Sequence, residues 1–226
     1  MNQDRTIGEG IYIIGGPGIT HAEDATSFIV DCGEELVMID SGAGKTAHLL
    51  VEHIKGLGLD PEDLSTLILT HCHIDHIGSA PYFIERYGCT VITHDLDADA
   101  VESGDAVATA ANLYGTIFPP TRIDTRLTGE EGTLSFGREQ LHWIHTPGHT
   151  PGSLSLYCDR GGERILFGQD IHGPFLSTFG SDIGAWKRSM MKLLDLEADI
   201  LCEGHFGIFR SKKRVRAYIT DYLTRY

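Results

Sequence analysis

The sequence lacks three things that would each point to a different kind of protein. No window reaches 18 consecutive apolar residues, which excludes a transmembrane helix. No Cys-x-x-Cys pair occurs, and the five cysteines, Cys32, Cys72, Cys89, Cys158 and Cys202, are odd in number and form no dense framework. That pattern fits free thiols in a reducing compartment. Positive charge is scarce: 18 Lys and Arg stand against 32 Asp and Glu, a formal net charge of −14. Phosphate backbones are bound by clustered Lys and Arg, so nucleic acid is not an expected partner. The one basic run, residues 210–214, reads as the solvated face of a last helix. Residues 1–5 are polar and carry no apolar signal segment, so the expectation is a cytoplasmic protein with no membrane partner.

What remains is an ordinary globular composition: 41% hydrophobic and 22% charged residues, in a chain of 226 that can bury a sizeable core without staples. One domain over residues 1–226 is expected, and homo-oligomeric assembly stays open. Short apolar runs at 11–14, 27–30 and 36–39, each stopped by Gly or Asp, read as strands covered on both faces. Residues 44–57 read as a helix, 61–64 as a short helix or turn, 66–70 as a strand, 77–87 as a helix and 91–93 as a strand. Residues 95–118 read as loosely patterned helix ended by Pro119-Pro120. Strands follow at 133–136, 140–145, 153–158 and 164–168, then helix 183–194, a strand at 199–202 and a last helix at 210–225. The second half repeats the strands-then-helices order of the first, which two packed sheets with helices outside would satisfy.

Chemistry concentrates at Thr70-His71-Cys72-His73-Ile74-Asp75-His76. Three imidazoles and a carboxylate follow directly on the apolar run 67–69, so a strand end delivers several donors to one point. His and Asp suit zinc, iron and manganese, and four donors this close exceed the needs of one open catalytic site, which points to two ions. Three later fragments share the strand-then-donor grammar. His149 stands between two Pro-Gly pairs in residues 146–152, Asp170 ends the run 166–169, and His205 follows 201–204. Each alone is weak, since a strand-end Asp is commonly a turn or cap residue; the conjunction is what counts.

These residues resemble the metallo-β-lactamase superfamily. His71, His73, Asp75 and His76 match its H-x-H-x-D-H motif, the later ligands fall on His149, Asp170 and His205, and Asp40 resembles its first strand-terminal Asp, all in family order over roughly residues 10–210. The resemblance implies an α/β fold, a four-layer αββα sandwich with the metals at one edge. It assigns His71, His73 and His149 to one ion and Asp75, His76 and His205 to the second, with Asp170 bridging and Asp40 orienting a ligand from behind. Two divalent ions ~3.5–4 Å apart, zinc first and iron or manganese as alternatives, share a bridging water and lower its pKa toward ~7. The expected function is therefore a dinuclear hydrolase that uses a bridging hydroxide to cleave an ester, thioester or lactone of a small molecule. Asp75 is a candidate to pass a proton to the leaving group.

Other residues invite other readings. Gly42-Ala43-Gly44-Lys45-Thr46 is one Gly short of a phosphate loop and reads as a helix start. Cys72 alternates away from its neighbours and is expected to pack away from the metals. His172 and Phe175 are candidates for the substrate pocket, Trp186 for the core. Among family members, only 21 residues follow His205, too few for the helical domain of glyoxalase II. Gly173 stands where acyl-homoserine lactonases carry Tyr. The net charge disfavours the processing nucleases, and the polar N-terminus disfavours a secreted β-lactamase. The alternatives are a mononuclear-iron persulfide dioxygenase-like oxidoreductase, a phosphodiesterase and a non-enzymatic metal-binding protein. Segments 95–126 and 171–184 are expected to set specificity.

Overall fold

Alternation along the strands explains the layering. Phe28 and Val30 bury on one side of their strand and Ile29 on the other; Val37 and Ile39 oppose Leu36 and Met38 in the same way. A strand that is apolar on both sides has to be covered twice. The computed structural model describes residues 5–226; the first four residues, and most of the polar N-terminal stretch with them, lie outside the described residues.

In chain order the elements are β1 (Thr6–Gly8), β2 (Ile11–Gly15), β3 (Ser27–Asp31), β4 (Leu36–Ile39), α1 (Ala47–Gly56), β5 (Leu64–Ile68), α2 (Ile74–Ile77), α3 (Ala80–Tyr87), β6 (Thr90–His94), α4 (Asp95–Ser103) and β7 (Thr125–Leu127). The second half supplies β8 (Glu131–Phe136), β9 (Glu139–His145), β10 (Leu154–Arg160), β11 (Glu163–Gln169), α5 (Ile183–Asp195), β12 (Ile200–Glu203), β13 (Gly207–Arg210) and α6 (Lys212–Arg225). The first sheet runs β1-β2-β3-β4-β5-β6-β7 and the second β13-β12-β11-β10-β9-β8. Their inner faces meet in one apolar layer, where Phe28 and Phe167 pack edge to face with ring centroids 5.2 Å apart. A second layer joins the first sheet to α1, α2, α3 and α4; a third joins β11 and β12 to α5 and α6. This is the αββα sandwich.

The second sheet is antiparallel except for β11–β12, and the first is antiparallel over β1–β4 and parallel over β4–β5, β5–β6 and β6–β7. The carboxyl ends of each parallel pair therefore open at the same edge of their sheet, and the chemistry-bearing residues 40, 70–76, 170 and 205 follow those ends. Several expected boundaries shift. The helix expected over 77–87 starts only at Ala80, as α3; Ile77 is the last residue of α2, and Gly78-Ser79 separate the two. A Cβ on Gly78 would lie 2.2 Å from the Ala43 carbonyl carbon, so only glycine lets the 40–44 turn pack there. Pro81, without an N–H, sits in the first turn of α3. The helical reading of 95–118 holds only to Ser103. Gly104 closes α4 in the left-handed conformation at φ 65°, and Asp105 then accepts the Val107 and Ala108 amides in a side-chain-capped turn. The strands that periodicity did not reveal, β1, β7 and β13, have three or four residues each and lie at sheet edges, too short to show a pattern.

Candidate metal centre

Four segments carry donors to the shared edge. The loop after β5 turns straight into α2, presenting His71, His73, Asp75 and His76. The β9–β10 connection brings His149, β11 leads directly into Asp170, and the tight β12–β13 link brings His205. All seven side chains lie together. His71, His73 and His149 form one set of converging donor atoms, and Asp75, His76 and His205 another. Asp170 lies between them. Its Oδ2 is 3.4 Å from His149 Nε2 and 4.0 Å from His71 Nε2; its Oδ1 is 3.1 Å from His76 Nε2 and 3.4 Å from His205 Nε2. One oxygen thus faces each set. The close approach requires Gly204, where an added Cβ would sit 2.4 Å from Asp170 Oδ1.

The donors fit divalent ions. His73 Nδ1 lies 3.2 Å from His71 Nε2 and 2.8 Å from His149 Nε2, so three ring nitrogens aim at one region and cannot all be satisfied by one another's protons. His76 Nε2 and Asp170 Oδ1, buried 3.1 Å apart, face each other without hydrogen-bond geometry, a costly state unless a cation takes the lone pairs. The set of imidazoles and carboxylates is the donor chemistry of zinc, iron and manganese.

Supporting contacts fix which nitrogen of each ring is available. Asp40 is fully buried at the end of β4. It accepts from the Thr70 amide (2.8 Å), the Thr70 hydroxyl (2.7 Å), His76 Nδ1 (2.7 Å) and Gln169 Nε2. With Nδ1–H committed to Asp40, His76 offers Nε2 to the centre. His149 Nδ1 donates to the Pro174 carbonyl at 2.8 Å, leaving its Nε2 inward. Asp40 and Gln169 hold φ at 55° and 42°, left-handed for residues with side chains. Strain of this kind costs on the order of 1–3 kcal/mol each and persists where the surroundings over-determine it.

Burial and charge divide the seven. Burial pushes His71 and His149 down and takes His73 to about 3. Burial acts the same way on His76 and His205, but carboxylates outweigh it. Asp170, Asp40 and Asp75 hold His76 well above its ordinary value, and Asp170 with Asp75 raises His205 to about 10. Against burial, which raises them, His76 and His205 keep Asp170 and Asp75 below the usual carboxylate range. One half is a nest of neutral rings and the other a set of ion pairs, in which a dication would take the place of the protons on His76 and His205.

The remaining sequence candidates fall as follows. His172 stands beside the centre, its Nδ1 2.9 Å from Glu203 Oε1 and its ring 5.2 Å from that of His205. Phe175, a candidate for the pocket, packs on Trp186 and Tyr226, with ring centroids 5.1 and 4.8 Å away, and its ring also stands 6.5 Å from that of His149. The aromatic ring against the centre is Phe179, 4.2 Å from the His73 ring, because residues 177–179 form a single 3₁₀ turn that folds back over it. Trp186 is core, as expected. Cys72 turns away and directs its thiol at the Ala108 carbonyl, 3.3 Å off. Lys45 of the glycine-rich turn pairs with Glu23 at 2.6 Å, and the turn leads into α1. All five cysteines are free and buried, and no helix among the described residues is long and apolar enough to cross a membrane.

Four further residues at the site carry no spacing signal. Buried Glu203 accepts the His205 and Phe206 amides at 2.7 and 2.9 Å and holds that turn. Gln169 braces Asp40. Asp97 binds two of the loops that carry donors, and Tyr114, in the turn-rich segment after α4, lies close enough to Asp75 to feel its charge. Burial and that carboxylate together push the Tyr114 phenol up.

Known proteins resemble this chain in sequence and in fold. A probable metallo-hydrolase of Bacillus subtilis is 29% identical over 218 residues, covering 84% of this chain and 81% of the relative. One of Methanocaldococcus jannaschii is 38% identical over 156 residues, 68% of each. An acyl-coenzyme A thioesterase of Gallus gallus is 28% identical over 241 residues, 94% of this chain and 83% of the relative. Among solved structures, the metallo-β-lactamase GOB-18 of Elizabethkingia meningoseptica superposes with a TM-score of 0.82 at 20% identity, over 97% of this chain and 89% of that one, a likeness of fold. The metallo-beta-lactamase superfamily as a whole matches residues 22–205, a span that runs from the strands before Asp40 to the last donor histidine, and the chain belongs to that superfamily.

Proposed function

We propose that this protein hydrolyses a thioester, ester or lactone bond of a small molecule with two divalent ions, zinc foremost. His71, His73 and His149 would hold one ion, Asp75, His76 and His205 the other, and Asp170 would bridge them. The observation that carries this reading is the Asp170 carboxylate, with one oxygen facing each histidine set. Bound ions would supply Lewis acidity at a carbonyl oxygen and bring the pKa of water toward ~7.

The chain's own groups have separate tasks. Asp40 and the Pro174 carbonyl hold His76 and His149 in the tautomers that face inward. Asp75 Oδ2, 3.3 Å from His205 Nε2, rests as a carboxylate and is placed to take a proton from the attacking water and pass it on to the leaving group. Tyr114 is placed to donate to a substrate oxygen beside it. Phe179 keeps water from the flank of His73. The thioesterase among the relatives favours a thioester within the three bond types.

The test is metal analysis of purified protein together with a panel of thioesters, lactones, carboxyl esters and phosphodiesters. Two metals per chain and turnover of an acyl substrate support the reading. One iron per chain with thiol-dependent oxygen uptake would replace it with a dioxygenase, turnover confined to phosphodiesters with a phosphodiesterase. A fully loaded protein inert to every substrate would replace it with a metal-binding role.

A further inference from the structure

Asp97 lies in the first turn of α4, outside every donor group at the centre, yet it is 1% exposed. Its Oδ2 accepts from the Cys72 amide at 3.0 Å and the Thr150 hydroxyl at 2.7 Å, and its Oδ1 from the Gly152 amide at 2.6 Å. All three donors are neutral. A buried carboxylate held only by neutral donors is an expensive choice, because its desolvation is not repaid by a counter-ion. A helix start gains from an acidic residue in its first turn, but Asp95 in the same turn already supplies that from a half-buried position. The Asp97 oxygens are directed across to two loops instead.

Those two loops carry His71, His73 and His149, one half of the centre, and the first then runs through α2 into Asp75 and His76 of the other half. Cys72 separates His71 from His73, and Thr150 and Gly152 flank His149 on its carboxyl side. The other half is braced by different groups: Asp40 holds His76, and Glu203 holds the His205 turn. We propose that Asp97 is a positioning residue that sets the spacing of His71 and His73 against His149, and so the metal affinity of the three-histidine half independently of the other half. Both carboxylate oxygens are needed as acceptors. In the near-isosteric Asn, the amide group would set donor against donor, either at Gly152 or at Cys72, and the two loops would move apart. Thr150 would add to the same clamp, its hydroxyl also lying 2.7 Å from Ser153 Oγ.

The inference rests on the metal-centre reading above, and cobalt(II) titration of metal-free full-length protein separates the two. His149→Ala and His205→Ala, each lacking a donor of one half, assign the visible bands to the halves. In Asp97→Asn the three-histidine half is expected to lose roughly 10–100-fold in affinity, the range for removing a residue that orients ligands, while the bands and affinity of the Asp75, His76 and His205 half stay at wild-type values. Thr150→Val, which removes one donor and keeps the shape, is expected to show a smaller loss confined to the same half. Unchanged affinity at both halves of Asp97→Asn, or equal loss at both halves in Asp97→Asn and Thr150→Val alike, overturns the proposal. Wild-type protein that binds no cobalt fails the metal-centre reading itself.

Discussion

Replacing Asp40 with Asn changes one atom in a fully buried side chain and reverses the logic of His76. Four donors converge on the carboxylate: the Thr70 amide and hydroxyl, His76 Nδ1 and Gln169 Nε2. If the Asn oxygen keeps the Thr70 amide, its NH₂ faces His76 Nδ1 and Gln169 Nε2, both donors. His76 can relieve the conflict only by moving its proton to Nε2, the nitrogen that must stay bare to bind metal. At least one buried donor is left unpaired, a cost of about 1–3 kcal/mol. Loss of the orienting partner should weaken metal binding at the Asp75, His76 and His205 half by roughly 10–100-fold, or about 1.4–2.7 kcal/mol. Chelator competition measures the second and denaturant unfolding of metal-free protein the first. Ring-nitrogen NMR of the zinc-loaded protein reports the tautomer directly. An Asp40→Asn protein that binds both metals as tightly as wild type, with the proton still on Nδ1 of His76, would refute the argument.

Three further outcomes follow from the geometry. Asp170→Asn and His149→Ala are each expected to lower turnover by orders of magnitude on folded protein, and an unchanged rate with either would remove that side chain from the centre. Tyr114→Phe is expected to lower kcat against a thioester or lactone by about 10-fold or more while leaving metal content intact; an effect on metal content alone would make Tyr114 a brace for Asp75. Metal-free protein should be most stable near pH 6.5, from two opposed contributions. His205, raised to about 10, contributes stability that is complete below its unfolded value of about 6.5 and is lost as pH rises toward 10. His73, lowered to about 3, contributes stability that is complete above about 6.5 and is lost as pH falls toward 3. Each slope is about 1.4 kcal/mol per pH unit within its window. Denaturant unfolding in chelator across pH 5–9 checks this, and a stability that climbs steadily through pH 8 would contradict it.

The strands and the seven candidate donors could be read from the chain because both leave local marks, while the four-layer sandwich is implied only by the resemblance to the superfamily. Apolar runs such as residues 36–39 and 164–168 need no partner to be recognised as strands buried twice, and a donor that follows such a run directly, as His71 or Asp170 does, stands out from its neighbours. What could not be read depends on contacts between distant segments. The break at Gly78 is set by the backbone of Ala43 and Gly44, 34 or more residues away, and nothing in the run 77–87 announces it. Phe175 and Phe179 are equally apolar in sequence; which one meets His73 is decided by the way residues 177–179 turn. Asp97 is one of three aspartates within residues 95–99, and Asp95 and Asp99 instead reach the exposed Arg126. Its two oxygens answer to amides 25 and 55 positions away. A metal ligand declares itself by side-chain type and by its place at a strand end. The group that holds the ligand loop needs only an acceptor at the right point, and any of the many acidic residues in the chain could have been that acceptor. The positioning layer is therefore the part of a metal centre that a single sequence hides most completely, although the ring tautomers and the spacing of the two halves depend on it.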